Sequence, residues 1–114
     1  MTITRTLVVT VVLACPVIVP TQAAAQAQDK GMAIFVEQKC TQCHALAGRG
    51  NKNGALDDVG SRLGAAEIKA WIVDPVAMAA KRQPASTRKP AMKKKPMSAA
   101  DVDVLVAFLA TQKK

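Results

Sequence analysis

The chain has 114 residues, with 16 lysines and arginines against 8 aspartates and glutamates, a net charge of +8, three cysteines, one histidine and three aromatics. That length suits one domain and excludes two packed cores. Half of the residues are apolar, but 17 of the first 27 are apolar, which inflates the figure.

Residues 1–27 read as a secretory signal peptide. Arg5 is the only charged side chain before Asp29, Leu7–Val19 is an apolar run, and Ala25-Gln26-Ala27 offers a small-x-small cleavage site. Interrupted by Pro16, the run is short for a transmembrane helix, although an uncleaved anchor is the competing reading. Val12-Leu13-Ala14-Cys15 loosely resembles a lipoprotein processing site. Leu13 is unusual there and Pro16-Val17-Ile18-Val19 continues the apolar stretch, which argues against lipid anchoring through Cys15. Cleavage after Ala27 leaves a soluble domain, residues 28–114, of 87 residues and net charge +7. Of its 40 apolar residues 16 are alanine, so its core is thin and something else is expected to complete it. Only Cys40 and Cys43 remain as thiols.

In chain order, Met32, Phe35 and Val36 mark a short amphipathic helix over Asp29–Lys39, with Asp29 as its N-cap. Residues 45–62, rich in Gly and Asn, read as loop. Ile68, Trp71 and Ile72 repeat the helical spacing. Asp74-Pro75 then reads as an N-cap followed by proline at the first position of a helix over Val76–Lys81. Residues 82–97 contain Pro84, Pro90 and Pro96 and cannot form one regular element. Ser98 and Asp101 make a variant capping box for a last helix, with Met97 stapling onto Val102. Its buried stripe is Val102, Leu105, Val106 and Leu109, and Lys113 and Lys114 suit the negative end of its dipole. No strand pattern competes. The expected class is all-α, about four short helices with long loops.

Cys40-Thr41-Gln42-Cys43-His44 decides the chemistry. Two thiols separated by two residues, with histidine directly after the second, is the haem c attachment spacing. Each thiol can add to one porphyrin vinyl group, and the tether then brings the following imidazole beneath the iron. A thioredoxin-like dithiol would want a preceding strand and a βαβ context. A zinc site needs four ligands, and the mature chain has no other Cys or His. A plain exported disulfide leaves the adjacent histidine unexplained.

With the attachment motif, the Gly48–Gly60 loop, the Trp71 helix, a methionine in a proline-bounded loop and Leu105-Val106-Ala107-Phe108-Leu109, the chain resembles a small bacterial class I cytochrome c over residues 29–112. The resemblance implies the cytochrome c fold around one covalent haem c, with crossed terminal helices meeting at Gly31, Phe35 and Phe108. It implies His44 and a methionine as axial ligands. His44 is the only histidine, which excludes a bis-histidine haem. Met32 lies on the first helix's apolar stripe, Met78 in a short helix, and Met97 has the staple role. Met92, in the irregular Pro90–Pro96 loop, fits best, with Met97 second. A thioether is soft and neutral, favours ferrous iron and raises the potential.

Two departures stand out. Where relatives carry Gly-Pro, with a loop carbonyl accepting the histidine's second N–H, Gly54 is followed by Ala55. The carbonyl persists while the loop loses rigidity. The usual aromatic after the methionine ligand is replaced by Lys93-Lys94-Lys95, which opens the haem edge or lets a lysine compete for iron at alkaline pH. Trp71 is a candidate donor to a haem propionate.

Lys81, Arg82, Arg88, Lys89, Lys93, Lys94 and Lys95 place seven positive charges in 15 residues with no acid among them. They form either a solvated loop or a docking face steering acidic redox partners such as an oxidase, reductase or dehydrogenase. Export and the lack of base-stacking aromatics argue against nucleic acid. The expectation is a periplasmic one-electron carrier rather than an enzyme. The alternatives are a dedicated haem subunit of a dehydrogenase complex and a haem enzyme or gas sensor with a weakly held sixth ligand.

Overall fold

The computed structural model describes residues 16, 21–85 and 87–114. Nearly all of the apolar run of the signal reading, Cys15 included, lies outside the described residues. The rest is helical: α1 Gln22–Glu37, α2 Val59–Arg62, α3 Ala65–Val73, α4 Pro75–Lys81 and α5 Ala99–Ala110. A 3₁₀ turn spans Cys40–Gln42 and another Lys52–Gly54. The all-α class holds.

α5 is the centre of the packing, with α1 and α3 both lying against it and α2 meeting its end. Its buried face is Val102, Leu105, Val106, Phe108 and Leu109, the expected stripe with Phe108 added. Opposite it lie Ile34 and Phe35 from α1 and Ile68 and Ile72 from α3. Phe35 and Leu105 are each 1% exposed, and such burial contributes about 1.5–3 kcal/mol per side chain. α1 crosses α5 where Gly31 meets Phe108: a Cβ on Gly31 would collide with the Cβ and ring of Phe108. The Lys69 ammonium reaches Asp103 Oδ1 at 2.7 Å and ties α3 to α5 at the surface.

Caps set by local chemistry fall where the sequence places them. Ser98 Oγ accepts from Asp101 N at 3.1 Å, and Asp74 Oδ1 accepts from Ala77 N at 3.1 Å with Pro75 opening α4.

Several boundaries differ from the sequence reading. α1 starts at Gln22 rather than after an Asp29 cap, because Gln22–Gln28 is an unbroken alanine and glutamine run of high helix propensity. A fifth helix, the single turn α2, stands inside the stretch read as loop, braced by Arg62 Nε on Asp58 Oδ1 at 3.0 Å. Two short antiparallel strands, β1 Ala45–Leu46 and β2 Arg49–Gly50, also occur there. At two residues each they are too short to carry an alternating pattern. At the end of α5 the Phe108 carbonyl accepts from Thr111 Oγ1 at 2.6 Å and Gln112 Nε2 at 3.1 Å. Lys113 and Lys114 lie past the last turn, and the Lys114 backbone N–H donates to Ser61 Oγ at 3.2 Å.

Candidate haem-attachment site

α1 ends in a sharp turn that builds the site. Gln38 N donates to Ile34 O, Lys39 N to Val36 O, and Lys39 then takes a left-handed φ of 57°. For a residue with a side chain that conformation costs roughly 1–2 kcal/mol. It turns the chain directly into Cys40–Gln42. The Cys40 carbonyl then accepts both Cys43 N at 3.1 Å and His44 N at 2.9 Å, so one tight turn brings both cysteines and the histidine together.

The following loop straps this turn. Asn51 N donates to Thr41 O at 3.1 Å and to His44 O at 3.2 Å. Gly50, at φ +96°, allows the close approach, since a Cβ there would run into the His44 carbonyl. Asn51 Oδ1 accepts from Asn53 N at 3.0 Å and the Asn51 carbonyl from Gly54 N at 3.1 Å. Leu56 N donates to Ala45 O at 2.8 Å, returning the chain to β1.

His44 Nδ1 lies 3.0 Å from the Gly54 carbonyl oxygen. A carbonyl only accepts, so Nδ1 donates the hydrogen, and in the neutral ring Nε2 then keeps the lone pair. The bond is made with Ala55 following Gly54. Gly54 is itself required, because a Cβ would collide with the Cys43 carbonyl and stand 3.0 Å from Nδ1.

Cys40 and Cys43 are free thiols. Cys43 is exposed, whereas Cys40 is half-buried and packs against the apolar core. Burial pushes the Cys40 thiol above its ordinary pKa, and the nearby positive charge of Lys95 pulls the other way. No group of three or more His, Cys, Asp or Glu side chains able to hold a metal ion occurs among the described residues.

The remaining candidates are distributed as follows. Trp71 is half-buried on α3, and its indole N–H makes no hydrogen bond to a described residue. Met92 is 37% exposed in the irregular segment before α5, while Met97 packs against the core. Met97 and Val102 line the same cleft beside α3, in keeping with the staple. Six of the seven cations of residues 81–95 are exposed and Lys95 is half-buried. Among the described residues none of the seven pairs with a carboxylate, the two ion pairs being Arg62–Asp58 and Lys69–Asp103. The sequence reading missed Gly50 and Asn51 as the strap of the motif, Lys95 as the neighbour of Cys40, and Arg88, whose Nη1 donates to the Asn53 carbonyl at 3.1 Å. Only the Gly50-Asn51 pair carried a local signal, that of a turn.

A family model for cytochrome c matches residues 28–113, and the chain belongs to the cytochrome c family. Among curated proteins and among solved structures, nothing matches. Membership brings covalent haem c binding and haem-based electron transfer, the role that this family generally has in place of enzymatic turnover. The residues present fit that group: two free thiols at the attachment spacing and an imidazole whose Nδ1–H is held by a backbone carbonyl. Cytochrome c domains are typically exported, and no helix among the described residues is long and apolar enough to cross a membrane.

Proposed function

We propose that this chain is an exported, periplasmic monohaem cytochrome c that carries one electron at a time between redox proteins. The observation that carries the reading is the His44 Nδ1–H bond to the Gly54 carbonyl, directly after two free cysteines. The haem supplies a one-electron ferric/ferrous couple. Cys40 and Cys43 would hold it through thioethers, and His44 would offer Nε2 to the iron. The Gly54 carbonyl fixes the ring's tautomer and orientation and makes it a more basic donor.

Met92 would supply the second ligand to the iron. It belongs to the irregular segment and is not committed to the core, whereas Met97 is engaged in packing. Trp71, with its N–H unspent on described residues, would donate to a propionate. A domain that starts near residue 28 accords with the packing there. Residues 21–27 are all exposed, and the first tertiary side-chain hydrogen bond runs from Gln28 Nε2 to Thr111 Oγ1 at 2.9 Å. The family match also begins at residue 28. The basic 81–95 segment, without carboxylate partners among the described residues, steers an acidic redox protein onto the molecule.

The test is spectroscopic. The ferric protein should be low-spin and show the weak long-wavelength sulfur-to-iron band. Met92→Ala should abolish that band and Met97→Ala should retain it. A band that survives Met92→Ala, or a high-spin ferrous protein that binds carbon monoxide rapidly, would overturn the reading.

A further inference from the structure

Between α4 and α5 the described residues form no regular element, and Met92 is among them. Among the described residues, one hydrogen bond ties positions 82–97 to the rest of the fold, that from Arg88 Nη1 to the Asn53 carbonyl at 3.1 Å. The next carbonyl along the chain, that of Gly54, is the one that accepts His44 Nδ1–H at 3.0 Å. Two adjacent carbonyls of one turn therefore hold, respectively, the Met92 segment and the imidazole. The turn is internally closed by the bonds of Asn51 to Asn53 N and Gly54 N, so its two carbonyls keep a set relation.

We infer that Arg88 is a positioning residue that holds the Met92 segment in register with His44, rather than one more docking charge. The inference rests on the reading of Met92 as the second axial ligand. With Arg88 anchored, Met92 is four residues from one fixed point and five from Met97, which packs against the core. Without the anchor, the preceding fixed point is Lys81 at the end of α4, eleven residues away. At roughly 3.5 Å of reach per residue, Met92 lies within about 14 Å of the Arg88 backbone and about 18 Å of Met97; without the anchor only the Met97 tether and the eleven-residue span from Lys81 confine it. A planar guanidinium with several donors suits a carbonyl at this distance better than a mobile ammonium.

The ferric holoprotein tests this with imidazole as the probe, which competes with an axial methionine and is read by loss of the sulfur-to-iron band. Its apparent affinity rises in proportion to the fraction of molecules in which the methionine has moved away. Losing one charge-assisted hydrogen bond should make Arg88→Gln bind imidazole roughly tenfold more tightly than the parent. Arg88→Lys should recover part of the difference. Lys89→Gln, which removes the same charge one residue away, should titrate like the parent. Far-ultraviolet circular dichroism should stay the same in all three variants. Equal titrations for Arg88→Gln and Lys89→Gln would overturn the inference. A Met92→Ala protein that keeps its band without imidazole would instead overturn the ligand reading on which it rests.

Discussion

Replacing Gly31 by alanine probes the helix crossing on which the attachment turn is built. In an isolated helix the change is favourable by about 1 kcal/mol. Here the new Cβ would collide with Cβ and Cγ of Phe108 and sit 2.8 Å from its Cδ1. Carbon atoms pack at about 3.5–4.0 Å, and Cβ cannot swing aside, so α1 and α5 must separate. Separation loosens Phe35, Leu105 and Phe108, all buried in the same core. Overpacking of this kind costs about 1–3 kcal/mol, and more where the backbone must move. After the propensity gain the net loss should be ~2 kcal/mol, or a fall in Tm of ~10 °C for a domain of this size. Thermal unfolding of the holoprotein by circular dichroism measures it. Gly64→Ser is the control, since a Cβ at Gly64 meets nothing within 4 Å and serine suits its place as N-cap of α3. A Gly31→Ala protein as stable as the parent would refute the close crossing.

Gly54→Ala should lower stability and disturb the His44 bond, since its Cβ crowds both the Cys43 carbonyl and Nδ1. The readout is a rise in reduction potential, because a less basic imidazole stabilises ferric iron less; unchanged spectra and potential would refute it. Ser98→Ala removes the acceptor for Asp101 N and should cost about 1 kcal/mol in denaturant unfolding with no change in the haem spectrum. Electron transfer to an acidic redox protein should slow as salt rises, and Lys93→Gln with Lys94→Gln should flatten that dependence. Rates indifferent to salt would remove the docking role of the 81–95 segment.

The features legible in the sequence are those whose chemistry is local. The attachment motif is five residues long, and the Ser98 and Asp74 caps bond to amides only three residues on. The periodicity of Leu105, Val106 and Leu109 survives as the buried face of α5. What escaped was either degenerate or long-range. Asp29 is a good cap, but the alanine-rich residues before it form helix equally well, so the α1 boundary had no local marker. β1 and β2 are held by the fold around His44 and not by their composition. The Arg88–Asn53 contact spans 35 positions and leaves no pattern, and the approach of Lys95 to Cys40 is equally non-local.

The central claim is that Cys40 and Cys43 carry a covalent haem in an exported protein. Mass spectrometry of the chain recovered from the export compartment and denatured in acid tests it directly. The expected result is the mass of residues 28–114 plus one haem, with haem absorbance that stays with the polypeptide and no thiol left to alkylate. A polypeptide of bare mass, with both cysteines reactive or joined in a disulfide, would contradict it.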